Sequence, residues 1–310
     1  MTAAPAPAPP FAPARPHIAA WLAEFQLRLV QQLEAADGGP VPFGTDHWAR
    51  PGGGGGRSKV LEGGLILEKG GVGFSAVHGE MSEAQARQLQ MPSPGFYATG
   101  VSVVLHPRSP RVPIIHMNVR YFEAAGGEAW FGGGIDLTPI YVDEAQARRF
   151  HQQLKAVCDA HNPAYYPKFT RWADDYFYLP HRQETRGVGG IFFDRLTIGP
   201  DGTAAELFAF VQAVAELFGP AYTLIMSENA ALPFSEKEET WQSLRRARYA
   251  EFNLAFDRGT QFGLQTGGRT ESILMSLPPR TGWAYNPAPP APGSPEATTL
   301  GWLRKGVVWA

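Results

Sequence analysis

The sequence predicts an α+β fold: a large, mainly antiparallel sheet flanked on both faces by α-helices, within a single domain. Predicted strands follow one another in runs and do not alternate strictly with helices, which favours antiparallel pairing. Stretches with apolar residues at helical spacing come before and after those runs. A chain of 310 residues is long enough to bury such a core. No internal repeat and no linker divides it.

The first predicted element is an amphipathic helix over residues 17–36, where Ile18, Leu22, Phe25 and Leu29 recur at helical spacing. The Ala- and Pro-rich residues 1–16 cannot build a core and are expected to form a disordered tail. The folded domain is therefore predicted to span residues 17–310.

A run of five glycines, residues 52–56, stands ahead of Arg57 and Lys59. Its composition favours a flexible loop. A mobile lid over residues 52–59, with two cations beside a site, is the alternative.

The remaining elements follow from alternation, helical spacing and capping residues. Asp143 suits a helix N-cap, and the three glycines before Asp136 indicate a bulge or bend. Predicted strands cover residues 65–79, 97–122 (two strands around a Pro-rich turn), 130–141, 187–196 and 249–257. Predicted helices cover residues 143–160, 203–218 and 235–248, and a short last helix begins at Ser294 and Pro295.

Composition and missing motifs exclude several classes of function. A net charge of −2 argues against a nucleic-acid-binding protein. The single cysteine, Cys158, indicates a reducing, cytoplasmic environment, and no apolar run approaches the length of a membrane span. Phosphate-binding loops, dinucleotide fingerprints and the nucleophile-elbow motif do not occur, so no organic cofactor is expected.

Residues 100–122 carry the strongest functional signal. Side chains alternate across a strand, so residues of equal parity share a face. A hairpin centred near Arg111 would place His106 opposite His116 and Ser102 opposite Arg120. One face would then carry five polar side chains: Ser102, His106, His116, Asn118 and Arg120. Such a face is either solvent-exposed or the wall of a pocket, and its two histidines, amide and guanidinium favour the pocket.

Other candidates are weaker individually. Asp136 could accept hydrogen bonds from a ligand or be an ordinary turn aspartate. Arg186 and Arg269 could bind carboxylates through two parallel bonds, and Gly267 and Gly268 before Arg269 would allow close backbone approach. The spacing of His106, His116, His151 and His181 matches no compact metal motif, and His151 borders the apolar stripe of its helix.

Several long segments nevertheless resemble the oxygen-dependent coproporphyrinogen III oxidases. They are GGGRSKVLEGG, ATGVSVVLHPRSPRVPIIHMNVRYFE, WFGGGIDLTP, FYLPHRQETRGVGGIFFD and YAEFNLAFDRGTQFGLQTGGRTESILMSLPP. The resemblance runs from about residue 17 to 300. One departure is that the family usually has asparagine at the position of Gly73.

The resemblance implies a large antiparallel sheet between layers of helices, and a homodimer formed around residues 249–284. It implies oxidative decarboxylation of two propionates of coproporphyrinogen III to vinyls, with molecular oxygen as the acceptor. No organic cofactor is implied, and a weakly bound divalent cation such as Mn²⁺ stays open.

The family's functional residues fall on matching positions here. Its proton-donor histidine falls on His116, and the aspartate thought to hold the pyrrole N–H groups falls on Asp136. Its substrate-binding residues fall on Ser102, Asn118, Arg120, Gly267, Gly268 and Arg269, and Arg186 joins them as a further arginine. The histidines sometimes assigned to a metal fall on His106, His116, His151 and His181.

Two rival functions stay open from sequence. A porphyrin carrier would use the same arginines without consuming oxygen. A histidine–metal oxygenase or hydrolase would act on another acidic substrate and require its metal.

Overall fold

The computed structural model describes residues 14–88, 94–265 and 268–310. Most strands join a seven-stranded sheet, and two short ones form a separate hairpin. The strands are β1 (Gly44–Ala49), β2 (Gly54–Glu62), β3 (Leu67–Glu80), β4 (Gly95–Pro107), β5 (Ile114–Ala124), β6 (Ala129–Thr138), β7 (Tyr178–Leu179), β8 (Glu184–Thr185) and β9 (Gly189–Thr197). The helices are α1 (Arg15–Asp37), α2 (Glu83–Gln88), α3 (Glu144–His161), α4 (Tyr165–Tyr176), α5 (Ala204–Asn229), α6 (Glu236–Ala255), α7 (Arg258–Gln265), α8 (Thr270–Leu274) and α9 (Pro295–Trp302).

The large sheet has the order β1-β2-β3-β4-β5-β6-β9, and every neighbouring pair is antiparallel. The predicted antiparallel α+β fold is therefore confirmed. The Gly-rich bulge also lies in the predicted strand, because the register between β6 and β9 shifts between Phe131 and Gly133.

The two faces of the sheet are covered differently. One face carries alternating apolar residues such as Val103, Met117 and Ile135, which join the main core with buried residues of α1, α3 and α5. The opposite face carries the polar residues of β4, β5 and β6. It is covered in part by α6, from which Tyr249 packs on Val104, and by the segment after α8. We call it the polar face.

The β4–β5 hairpin differs from the predicted one by two residues. Ser102 pairs with Asn118, and Val104 pairs with His116. A shift of two residues preserves parity, so the polar side chains still share one face, as predicted.

Three predicted elements need correction. Residues 54–62 form strand β2, and Gly52 and Gly53 lie in the turn before it, so most of the Gly-rich segment is not a loop. Arg57 donates to the Ala23 carbonyl and the Gln26 side chain of α1. Residues 249–255 are helical and complete α6, so the predicted strand 249–257 is wrong. The first helix begins at Arg15, so only residues 1–13 of the predicted tail lie outside the described residues.

Within the described residues, α5 has the length and apolar composition of a membrane-crossing helix, and 56% of its most apolar stretch is buried inside the protein.

Candidate active site

A histidine–aspartate pair lies on the polar face. His116 of β5 and Asp136 of β6 are cross-strand partners, so their side chains leave the sheet side by side. The His116 Nδ1 atom lies 2.8 Å from Asp136 Oδ1. A carboxylate accepts hydrogen bonds, so this distance favours the tautomer in which Nδ1–H donates to Asp136. Nε2 is then left as the atom that can take or give a proton.

Arg186 holds the Asp136 carboxylate in place. Its Nη2 atom donates to both carboxylate oxygens of Asp136, at 2.8 Å each, and its Nη1 atom donates to Asn253 Oδ1 at 2.9 Å. Its side chain is only 2% exposed, and that of Asp136 1%. Three aromatic rings lie within 5 Å of the guanidinium carbon: Phe177 at 4.2 Å, Tyr249 at 4.8 Å and Phe252 at 4.8 Å.

This environment differs from the substrate-binding role expected for Arg186. Its guanidinium is buried and engaged with protein groups, so it orients Asp136, and through Asp136 it orients His116. Burial would raise the pKa of the Asp136 carboxyl. The charge of Arg186 and the hydrogen bond from His116 outweigh burial, so that pKa lies below its ordinary value and the carboxylate stays ionised.

Beside this pair lies a half-exposed group formed by Ser102, Asn118 and Arg120. Ser102 and Asn118 are cross-strand partners, and Asn118 Oδ1 accepts from Arg120 Nη1 at 3.0 Å. Arg120 also pairs with Asp194 of β9 at 2.9 Å. Gly132 makes room for this arrangement, because a Cβ atom there would stand 2.7 Å from the Asp194 carboxylate and 3.0 Å from Arg120 Nε.

His106 lies on the same face but is fully buried, with Nε2 2.8 Å from the Ser276 carbonyl. A carbonyl only accepts, so Nε2 carries the proton and donates. Burial lowers the pKa of His106 to about 3. The ring is therefore neutral at physiological pH, and it is shielded from any ligand on the open part of the face.

The other two histidines of the predicted metal set lie elsewhere. His151 belongs to α3 on the core side of the sheet, where its ring nitrogens contact the Tyr166 hydroxyl and the Val188 carbonyl, both at 3.0 Å. His181 is on the surface and pairs with Glu251.

The described residues contain no group of three or more His, Cys, Asp or Glu placed to hold a metal ion. The four histidines predicted for a divalent cation are therefore not placed to bind a common ion.

Arg269 stands at the far side of the polar face. It pairs with Asp46 of β1, and Asp46, Ser58, Gly73, Ser102 and Asn118 form one row of cross-strand neighbours. The row crosses four strand spacings, roughly 19 Å. Gly268 precedes Arg269 and donates its N–H to the Gly263 carbonyl at 2.8 Å, whereas Gly267 lies outside the described residues.

Sequence reasoning missed the residues of α6 that hold Arg186. Tyr249 and Asn253 are four positions apart, so on a helix they point to the same side. Read as a strand, the same segment placed them on a solvent face. The Ser235–Glu238 capping box, which starts a helix, was the available signal, since it begins the 20-residue helix that ends at Ala255.

A comparison with protein-family models agrees with the geometry. The model described as coproporphyrinogen III oxidase matches residues 17–309. That range includes the whole sheet, the His116–Asp136 pair and Arg186. The chain belongs to the coproporphyrinogen III oxidase family.

Proposed function

We propose that this chain is the oxygen-dependent enzyme, which converts the ring A and ring B propionates of coproporphyrinogen III to vinyls and yields protoporphyrinogen IX. For each side chain, –CH2CH2COOH and O2 give –CH=CH2, CO2 and H2O2. The observation that carries the proposal is the His116–Asp136 pair, which opens beside Arg120 on a half-exposed sheet face.

The substrate's four carboxylates suit the cations of that face. Arg120 and Arg269 lie at its two ends, and a guanidinium binds a carboxylate through two parallel hydrogen bonds. Arg120 already has Asn118 and Asp194 as partners, so its orientation is set before a ligand arrives. Ser102 and Asn118 offer uncharged polar contacts between the two arginines.

His116 is the group we assign to proton transfer, through Nε2. Asp136 holds Nδ1–H and stabilises the protonated ring, which Arg186 alone would disfavour. We assign Asp136 to this orienting role, because Arg186 and His116 engage its oxygens, and not to the pyrrole N–H groups. The reduced tetrapyrrole is electron-rich and gives its electrons to oxygen, so the proposal requires no organic cofactor.

The test is oxygen uptake with coproporphyrinogen III, measured with CO2 release. We expect one O2 consumed for each propionate lost, and no turnover under argon. Turnover under argon with another electron acceptor would contradict oxygen dependence. Tight porphyrin binding without oxygen uptake would favour the carrier, and activity abolished by chelators would favour the metal enzyme.

We also propose that the chain works as a cytoplasmic homodimer. Support comes from the predicted segment 249–284, whose described residues include four exposed large apolar side chains: Leu254 at 48%, Phe256 at 36%, Leu264 at 42% and Trp283 at 62%. Apolar surface of this kind is typical of a subunit interface.

A further inference from the structure

Lys69 of β3 lies on the polar face, although sequence reasoning did not select it. Its cross-strand partners are Glu62 of β2 and His106 of β4. Two residues along the same face, a Cβ atom at Gly71 would stand 2.9 Å from Met275 Sδ, so the segment after α8 crosses the sheet next to Lys69. The strand spacings place its Cα roughly 12 Å from that of His116.

The ammonium group of Lys69 is half-buried and makes no hydrogen bond or ion pair with the described residues. The charge of Glu62, which is exposed and does not form an ion pair with Lys69, raises the pKa of Lys69. Burial outweighs that influence and lowers the pKa of Lys69. A partly desolvated cation without a partner is costly to a protein, and an anion in contact with it would remove that cost.

The neighbouring charges do not neutralise Lys69. Glu68, the next residue in β3, pairs with both Arg246 and Arg280, at 2.8 Å each. His106, its neighbour in β4, is buried and neutral. This corner of the polar face therefore carries an excess of positive charge.

The geometry points to Lys69 as a further substrate-binding residue, whose ammonium group contacts a carboxylate of the bound tetrapyrrole. The inference rests on the proposed function for its ligand class. It adds a third cation to the polar face, on β3, which lies between β1 and β5 in the sheet. Lys69 is four residues along β3 from Gly73, which belongs to the row that joins Asp46 to Asn118.

The test is equilibrium binding of coproporphyrin III, the oxidised and unreactive tetracarboxylate, followed by fluorescence quenching. A hydrogen bond between charged groups predicts that Lys69→Gln weakens binding about tenfold or more. Lys69→Arg keeps the charge and is expected to lose much less. The KM for coproporphyrinogen III should rise in Lys69→Gln with a smaller change in kcat.

Two controls match this change. Lys59→Gln removes the same charge from the neighbouring strand, on the opposite face, where Lys59 donates to the Thr45 hydroxyl. Glu62→Gln removes the carboxylate of the cross-strand partner of Lys69. Both should bind coproporphyrin III as tightly as the wild type or slightly more tightly, with unchanged far-UV circular dichroism.

Wild-type affinity in Lys69→Gln would overturn the inference, as would an equal loss in Glu62→Gln, which would mean that the two residues merely form an ion pair. A wild-type chain that binds no coproporphyrin would overturn it too. A wild-type chain that binds coproporphyrin but consumes no oxygen would contradict the proposed oxidase activity alone, and the Lys69 measurement would still stand.

Discussion

The Asp136 carboxylate both neutralises the Arg186 guanidinium and orients the His116 ring. This buried carboxylate accepts hydrogen bonds from the buried Arg186 and from His116, whose side chain is partly exposed. The pair works as a unit, because removing the carboxylate would leave a buried guanidinium without its partner and would free the imidazole to change tautomer.

The Asp136→Asn variant tests both consequences. We expect kcat to fall by about 10²–10⁴-fold, since an amide does not stabilise a protonated imidazole. We also expect the free energy of unfolding to fall by about 3–5 kcal/mol, the usual cost of breaking a buried ion pair. Initial rates at low temperature and urea denaturation separate the two effects.

Asp175→Asn is the matched control, since Asp175 is an exposed carboxylate paired with Lys305. It should change unfolding by less than about 1 kcal/mol and leave kcat unaltered. An Asp136→Asn enzyme with wild-type kcat would show that the pair has no catalytic role.

The buried His106 makes stability depend on pH. Its folded-state pKa is about 3, against an ordinary value of 6.5. The unfolded chain therefore binds a proton that the native state does not, and stability that is full above pH 6.5 is lost as the pH falls towards 3. The slope is about 1.4 kcal/mol per pH unit.

His106→Gln should lower the measured slope by about 1.4 kcal/mol per pH unit, because glutamine can still donate to the Ser276 carbonyl but does not titrate. The buried His151, whose pKa burial lowers to about 4, keeps its own contribution. Urea denaturation between pH 4 and 6.5 would measure it. His47→Gln, at an exposed position of β1, is the control and should retain the wild-type slope. An unchanged slope in His106→Gln would mean that other groups govern acid unfolding.

At the scale of elements, the segment after α8 packs on β3 at Gly71 and at Gly73, the departure from the family pattern. A Cβ atom at Gly73 would lie 2.8 Å from Met275 Cε, and one at Gly71 would lie 2.9 Å from Sδ and 3.0 Å from Cγ. The two glycines therefore form a flat surface on which Met275 rests.

The two positions should tolerate alanine differently. At Gly73 only the end of a flexible side chain must move, so Gly73→Ala should cost less than about 1 kcal/mol. At Gly71 the side chain must move nearer its root, so Gly71→Ala should cost about 1–3 kcal/mol. Urea denaturation gives both values, and Met275→Ala should abolish the difference. If Gly71→Ala cost as much more than Gly73→Ala in the Met275→Ala protein as in the wild type, Met275 would not be the cause of the difference.

Prediction from sequence succeeded for elements whose apolar residues recur with a clear period. It failed where glycines or mixed patterns left no clear period. The helix beginning at Glu144 has Asp143 as its N-cap, as predicted, with the side chain accepting from the Gln146 N–H. Strand β2 was missed because its glycines at 54–56 lack the side chains that produce alternation. They are needed there, since a Cβ at Gly56 would stand 2.3 Å from the Trp48 ring.

The sequence predicted which side chains of the candidate site share one face of the sheet. It did not predict the hydrogen bonds and ion pairs that connect them. Parity alone placed His116, Asn118 and Arg120 together, since it depends only on local strand geometry. The pairing of Arg186 with Asp136 spans 50 residues and depends on how β9 and α6 pack, which no local pattern encodes. For the same reason, sequence could not separate the buried His106 from the accessible His116.

At the scale of the whole molecule, the exposed apolar side chains of α6 and α7 make the proposed dimer testable. Leu254→Asp together with Leu264→Asp should convert a dimer to a monomer in light scattering coupled to size exclusion. Leu65→Asp, at a 62% exposed position between β2 and β3, is the control and should stay dimeric. A wild-type chain that elutes as a monomer would contradict the proposal.

The order of strands also sets an order of assembly. β1 to β6 lie in the sheet in the sequence in which they are synthesised, so each can pair with the strand just before it. Arg186 and Asn253 arrive only with the later half of the chain. His116 and Asp136 should therefore come together before the Arg186 guanidinium reaches them. In a nascent chain that ends after β6, the Asp136 carboxylate would lack Arg186 and could still take up a proton. Pulse-labelled hydrogen exchange should show amides of β4 and β5 protected before those of residues 186–190; simultaneous protection would mean that catalytic competence arises in one cooperative step.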